Sequence, residues 1–406
     1  MPFHDEPNAP NEPAGSDGPA DLGERRAALD AAIGRQALWP DRSPWIREAV
    51  RDVPRHAFAP ERLWWWDGHA YVPVDRGSEA RRWAEQVYAG PGDPAVTQVI
   101  DGQATSSLSC AAVVVDMLDS LKSEPGQRVL ELGTGSGWNA ALLARRSGPG
   151  LVTSVETDPG LAAQARTRLD AIGVGVTVEI GDGDAGWPAG GPYDRVICTY
   201  AVDAIPWAWV EQTRPGGRIV APWGRLGHVA LTVAEDGASA TGWVQGLATF
   251  MPSRGTSPPP AWQQVRGTGP PPEAERLTVR DPGLGPLRTD PHLLFALRVA
   301  LPDVHLTLSE TNDGDGSDGD TPAVRLHDTA RTSWATLHPS PDGDATAVAR
   351  QFGPRRLADE ALAAWDEWTA EGAPELYDFG MTVTPHDQYV WARHPATGPW
   401  PPPRRG

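Results

Sequence analysis

Between residues 128 and 245, short runs rich in Val, Ile and Leu alternate with stretches of helical period. The runs at 128–131, 152–156, 176–180, 195–199 and 218–221 have the length and β-branched content of strands buried on both faces. Their alternation with helical stretches predicts a parallel, doubly wound α/β sheet. The last two runs, 229–233 and 241–244, are parted by Glu235, Asp236 and Gly237 and read as an antiparallel hairpin at the sheet edge.

Outside this region the pattern is more broken. Leu22, Leu29 and Ile33 recur at helical spacing, predicting a helix over 22–38 that Pro40 stops, and Ser43 and Pro44 open a second over 44–52. Residues 53–60 are rich in turns, and 90–94 read as a loop. Residues 1–22 offer almost nothing apolar to set against the entropy of ordering, which predicts a disordered tail. The proline runs at 258–260 and 270–272 predict a semi-rigid linker over 252–290. Helices are expected at 291–299 and 356–371, an acidic loop at 312–320, and strands near 381–384 and 388–393. The expected organisation is therefore a tail (1–22), a helical substrate region (23–100), an α/β domain (101–251), a linker (252–290) and an α+β domain (291–406) that recognises substrate.

Composition narrows the function. With 406 residues, more than one domain is expected. The 35 basic against 53 acidic residues give a net charge of −18, which disfavours a phosphate backbone and so a nucleic-acid partner. Two cysteines, Cys110 and Cys198, exclude a disulfide framework, and Cys198 sits in an apolar run as a small buried hydrophobe would. No basic start followed by an apolar stretch opens the chain, and no run approaches the roughly 18 to 20 apolar residues of a membrane span. A soluble cytoplasmic protein with no membrane partner is the expectation.

The most informative stretch is 129–137, a predicted strand carrying Glu131 that runs into Gly133, Thr134, Gly135, Ser136 and Gly137 and then a helix. Glycines there let a ligand approach the backbone and leave the helix's first amides as donors. The G-x-G-x-G spacing and the missing phosphate-loop lysine disfavour pyrophosphate and triphosphate. Glu156 ends the second strand, where a carboxylate can hold both hydroxyls of a ribose, and Asp182, between Gly181 and Gly183, follows the third, suited to an adenine amino group. Alone, each carboxylate reads equally as a helix cap or a solvated group. Together, at successive carboxyl ends of one sheet, they describe a crevice for an adenosine-bearing ligand.

This order resembles the class I S-adenosylmethionine-dependent methyltransferases, a Rossmann-like fold with a terminal antiparallel hairpin. The resemblance assigns S-adenosyl-L-methionine as cofactor to Glu131, Gly133, Thr134, Gly135, Gly137, Glu156, Thr157, Asp182 and Gly183. Longer matches follow in order: 53–60 (VPRHAFAP), Ala70 and Tyr71, 107–109 (SLS), 129–137, 181–183 with 186–188 (GWP), 205–212 and 215–224 (PGGRIVAPWG). Together they resemble the protein-L-isoaspartate O-methyltransferase family over roughly residues 43–246. The family methylates an aspartate-type carboxylate in a peptide, and the ester then gives way to a succinimide. By the same resemblance Ser109 lies beside the acceptor carboxylate, Ser107 matches a neighbouring threonine, and Thr199 faces the site, forming the expected catalytic set. Each reads otherwise as a local cap at a strand or helix end.

The departures point further. The chain continues well beyond the hairpin, carries Ala111 where the family has proline, and adds a loop between Asp75 and Gly102, the Trp64, Trp65 and Trp66 cluster and the carboxyl-terminal passage 377–385. In this the layout is similar to the longer O-methyltransferases that accompany ATP-grasp ligases in making crosslinked peptides (graspetides), which implies a crosslinked precursor peptide as substrate and an ATP-grasp ligase as partner. The alternative is broad repair of isoaspartyl damage. Three consecutive tryptophans cannot share one strand face, so some of 64–66 are expected as core or domain-interface aromatics, with the lining of a peptide groove as the alternative. The acidic stretch from Asp313 to Asp318 lacks the Glu a calcium loop needs at its twelfth position, where Val324 stands, and the histidines have no ligand spacing. No metal is expected.

Overall fold

The computed structural model describes residues 21–224, 227–247, 250–254, 260–267, 274–280, 286–308, 324–339 and 346–401. The tail expected at 1–22 and the acidic loop at 312–320 lie essentially outside these residues. The chain divides into two compact units, of which the larger takes the described residues up to Arg254 together with Met381–Gln388.

The larger unit opens with helices α1 (Leu22–Arg35) and α2 (Trp45–Asp52). A four-stranded sheet follows, ordered β2-β1-β3-β4, with β1 Arg62–Trp66, β2 Tyr71–Asp75, β3 Ala95–Ile100 and β4 Gln103–Leu108, and helix α3 (Ala80–Val87) lies between β2 and β3. The region expected to be helical thus holds a sheet beside its helices, and the stretch read as a loop between Asp75 and Gly102 holds α3 and β3. Its strands are short and partly polar, so their alternation is weak. β1 pairs antiparallel with β2; Trp65 packs on the core while Trp66 stays half-exposed, edge-on to Tyr71.

The main sheet is the expected doubly wound one. Helix α4 (Ala111–Leu121) leads into β5 (Val129–Leu132), α5 (Trp138–Ser147), β6 (Val152–Glu156), α6 (Pro159–Ile172), β7 (Val176–Ile180), β8 (Tyr193–Cys198), α7 (Trp207–Glu211), β9 (Thr213–Trp223), β10 (Gly227–Val233) and β11 (Ala240–Leu247). The order runs β11-β10-β9-β8-β5-β6-β7. β5 to β9 are parallel, and β10 and β11 follow as an antiparallel hairpin; residues 381–383 add a further strand beside β11, so the hairpin is not the sheet edge that the sequence suggests. Val129, Leu130, Leu132, Val152, Val196, Ile219 and Val220 are fully buried, each contributing roughly 1.5–3 kcal/mol by leaving water. Helix α6 shows how the chain sets its ends: the Asp158 carboxylate accepts from the Gly160 and Leu161 amides, Pro159 follows, and Gly173 stops the helix at φ 74°.

The smaller unit is an antiparallel five-stranded sheet, ordered β12-β16-β15-β14-β13, where β12 is Glu275–Arg280, β13 Val304–Leu308, β14 Val324–Asp328, β15 Trp334–Pro339 and β16 Thr346–Phe352. Short helices α8 (Trp262–Arg266) and α9 (Pro286–Thr289) precede α10 (Pro291–Ala300) and α11 (Leu357–Ala370); α10 and α11 pack on each other, and Leu293, Leu297, Trp365 and Trp368 on them are buried. The stretch read as a linker thus contributes β12, which pairs along its whole length with β16; the flanking prolines mask its alternation. The chain then returns to the larger unit at Met381–Gln388, where the Thr382 and Thr241 hydroxyls meet at 3.2 Å and the Gln388 side-chain oxygen accepts from the Ile205 amide at 2.7 Å. No described helix is long and apolar enough to cross a membrane.

Candidate functional site

The carboxyl ends of β5, β6, β7 and β8 gather the residues singled out by the sequence. The turn after β5 places Gly133, Gly135 and Gly137 at φ of 91°, 52° and 91°, a region costly for side-chained residues. At Gly133 space forbids one as well, since a Cβ would come within 2.5 Å of Thr199 Oγ1 and 3.0 Å of the Tyr200 ring. The chain therefore keeps bare backbone at the point where a ligand would meet it.

Glu131 lies behind this turn. It is fully buried, accepts from Asn139 Nδ2 at 2.8 Å and from the Ser154 hydroxyl, and Thr134 Oγ1 reaches Ser154 Oγ at 2.6 Å. Burial pushes its carboxyl up to about 7, against the pull of the Ser154 and Asn139 hydrogen bonds. Glu131 and Thr134 thus brace the turn from within.

Glu156 holds it from the side. Its Oε2 accepts from the Gly135 amide at 2.9 Å and its Oε1 from the Asp158 amide at 3.0 Å. A carboxylate has about four acceptor positions, so two remain for a diol. Thr157 beside it is exposed. After β7, Asp182 is exposed and uses one oxygen on the Asp184 amide at 3.0 Å, leaving the other for a donor. Gly183 lies under Tyr200, whose hydroxyl would be 2.3 Å from a Cβ there and donates to Asp184 Oδ1 at 2.9 Å. These features fit an adenosine-bearing cofactor: a cradle without side chains, a two-oxygen acceptor and a second carboxylate at one sheet edge.

Strand β4 lies against the other side of the turn. Ser106 Oγ lies 3.8 Å from where a Cβ on Gly135 would be, so the strand runs against the glycine turn. Ser107 and Ser109 are the serines the sequence marks; Ser106 carries no such signal. By strand alternation Ser107 takes the opposite face from Ser106, while Ser109 lies beyond the strand, just before α4, half-buried and with no hydrogen-bond partner for its hydroxyl among the described residues. Thr199 is differently occupied: its hydroxyl contacts the Gly133 carbonyl at 2.5 Å and the Leu132 carbonyl at 3.2 Å, holding the β8 end to the glycine turn.

Arg55 carries no expected role from sequence. It is fully buried and donates to the carbonyls of Val87 (2.9 Å), Leu108 (3.0 Å), Asp93 (3.5 Å) and Ser109, with its guanidinium 5.0 Å from the Trp138 ring centre. Burial lowers it only to about 10, so it stays charged at neutral pH beneath the Ser109 peptide. An arginine inside the apolar turn 53–60 was the available signal.

A second network joins the two sides. Asp158 Oδ2 accepts from Gln98 Nε2 at 3.1 Å and from Arg254 at 3.0 Å, and Gln98 Oε1 accepts from Thr105 at 2.8 Å and from Arg254 at 2.8 Å. Burial alone would raise the Asp158 carboxyl, yet these bonds and the helix amides outweigh it and lower it to about 2.

The sequence model of the family described as Protein-L-isoaspartate(D-aspartate) O-methyltransferase (PCMT) matches residues 40–248. Among individual relatives, the protein-L-isoaspartate O-methyltransferase of Methylorubrum extorquens (strain PA1) is 37% identical over 186 residues, 46% of this chain and 69% of that protein. That of Halorhodospira halophila (strain DSM 244 / SL1) is 36% identical over 215 residues, 52% of this chain and 82% of the relative. Protein-L-isoaspartate O-methyltransferase 2 of Archaeoglobus fulgidus is 34% identical over 242 residues, 58% of this chain and 95% of the relative. Residues 249–406 lie outside the family match.

Proposed function

The chain belongs to the protein-L-isoaspartate(D-aspartate) O-methyltransferase family, and on that premise we propose that this S-adenosylmethionine-dependent carboxyl O-methyltransferase acts on one Asp side chain of a crosslinked, graspetide-type peptide. The observation that carries the reading is the smaller unit, which folds around its own five-stranded sheet from residues the family match does not reach. Repair of scattered damaged sites requires only a short flexible strand in an open site. Recognition of one ring-shaped peptide gains from added surface, because the ring has already lost its conformational freedom and each new contact orders little.

S-adenosylmethionine supplies the methyl group, which passes to a carboxylate oxygen as its bond to sulfur breaks, leaving S-adenosylhomocysteine. The chain's part is positional. An aspartyl carboxylate is already ionised at pH 7 and needs no general base; it needs alignment and exclusion of water. In this reading Gly133, Gly135 and Gly137 admit the cofactor, Glu156 with Thr157 takes the ribose hydroxyls, and Asp182 with Gly183 takes the adenine edge. Glu131 and Thr134 hold the turn, and Thr199 fixes it to β8. Ser109 orients the acceptor carboxylate, with Ser107 on the adjoining strand. The ester carbonyl is then attacked by the next backbone nitrogen, methanol leaves, and an aspartimide forms.

Support would come from a gene for an ATP-grasp ligase beside one for a short precursor rich in Thr and Asp or Glu. The crosslinked precursor, incubated with enzyme and S-adenosylmethionine, should gain about 14 Da and then fall to about 18 Da below its starting mass. The names of the relatives favour a second reading, repair of isoaspartyl residues. An isoaspartyl peptide methylated while the precursor stays unchanged would establish it instead.

A further inference from the structure

Residues 251–254 follow the end of the family match and do not leave the site. The Ala201 amide donates to the Met251 carbonyl at 2.8 Å and the Ser253 amide to the Ala201 carbonyl at 3.0 Å, so the segment runs parallel to the chain just after β8. Three residues on from Met251, the Arg254 guanidinium reaches Asp158, just after β6, and Gln98 on β3. In the sheet, β8 and β6 flank β5, whose carboxyl end carries the glycine turn. Two strand spacings are roughly 10 Å, and since 251–253 stay paired beside Ala201, the step to residue 254 and its long side chain cover that distance. Arg254 therefore reaches from the β8 side of the glycine turn to its β6 side.

We infer that Arg254 is a positioning residue of the cofactor site, latching residues 251–254 across the glycine turn so that the bound cofactor cannot leave until the latch opens. The inference rests on the cofactor reading above. Arg254 acts through others: the residue it holds by its carboxylate, Asp158, holds Glu156 Oε1 by its amide at 3.0 Å, and the residue it holds on β3, Gln98, is bonded to Thr105 on β4. One planar fork thus fastens the ribose-side carboxylate to the hairpin that carries Ser106 and Ser107. Two directed bonds from one head group suit arginine; a lysine ammonium could meet Asp158 without also matching Gln98.

The test measures S-adenosylhomocysteine dissociation from the full-length protein by chasing bound labelled ligand with excess unlabelled ligand. Arg254→Ala should release it at least fivefold faster, Arg254→Lys should fall between, and Gln98→Leu should speed release with an effect that does not add to that of Arg254→Ala. Because the Arg254 and Asp158 side chains keep 34% and 19% of their exposure, raised salt should speed release from the wild type and leave Arg254→Ala nearly unaffected. Melting temperatures recorded alongside separate a latch from loss of fold, and Gln98→Leu supplies the test should Arg254→Ala unfold. Equal release rates in folded variants overturn the latch. A wild type that binds no S-adenosylhomocysteine overturns the cofactor reading beneath it, a result distinct from equal rates.

Discussion

Replacing Glu156 by alanine probes the cofactor side most sharply. The side chain is 5% exposed and accepts from the amides of Gly135 and Asp158 at 2.9 and 3.0 Å, which leaves two acceptor positions directed elsewhere. A charge-assisted hydrogen bond is worth about 1.5–3 kcal/mol, so loss of one ribose hydroxyl contact alone should weaken S-adenosylmethionine binding roughly 10- to 150-fold. The freed Gly135 and Asp158 amides add to the loss, because the glycine turn is then no longer held in its binding shape. Titration calorimetry with S-adenosylmethionine and S-adenosylhomocysteine reads the affinity, and a thermal melt confirms that the variant folds. Unchanged affinity in a folded Glu156→Ala variant would refute the placement of the ribose at this carboxylate.

Two further outcomes follow from the same geometry. Ser109→Ala should lower methyl-transfer turnover about tenfold or more while cofactor affinity, measured by calorimetry, stays within about twofold, because an orienting hydroxyl acts on the acceptor alone; wild-type turnover would return Ser109 to a cap before α4. Glu131 sets a pH dependence whose sign is opposite to that of an ordinary paired carboxylate. Its folded-state value is raised to about 7, so the folded state binds the extra proton, and its contribution is present below about 4.5 and lost as pH climbs toward 7. The melting temperature of Glu131→Gln should therefore gain on the wild type as pH rises from 5 to 8, and a constant difference across that range would contradict the buried carboxyl.

Much of this architecture is legible in sequence because the main sheet is buried on both faces. Its strands, such as 152–156 and 195–199, read as short runs rich in β-branched residues, and the glycine turn and Glu156 are tied to strand ends by spacing alone. What escapes the sequence is non-local or masked. Arg254 meets Asp158 and Gln98 across most of the larger unit, and no local period marks such a contact. Arg55 spends its donors on carbonyls, which every residue carries, so its partners leave no trace in the sequence. Ser106 was passed over for Ser107 because only the pairing of β4 tells which face meets Gly135. Strand β12 is masked by the prolines around it, and the hairpins of residues 62–75 and 95–108 leave little trace in the sequence because their faces mix polar and apolar groups. The Thr199 hydroxyl, expected to face the site, bonds to the Gly133 carbonyl, and a choice between backbone and ligand is one that residue type cannot decide.

The central claim, that the added unit dedicates a family carboxyl methyltransferase to one crosslinked peptide, is tested most directly by competition in a single reaction. Full-length enzyme, limiting S-adenosylmethionine, the crosslinked precursor, its linear form and an isoaspartyl peptide would be mixed at equal concentration and followed by mass spectrometry. Relative kcat/KM is read from the rates at which the peptides gain mass. The account predicts that the crosslinked precursor takes nearly all of the methyl groups, at least tenfold over either competitor, and proceeds to the dehydrated aspartimide. Preference for the isoaspartyl peptide, or equal use of crosslinked and linear forms, would contradict it.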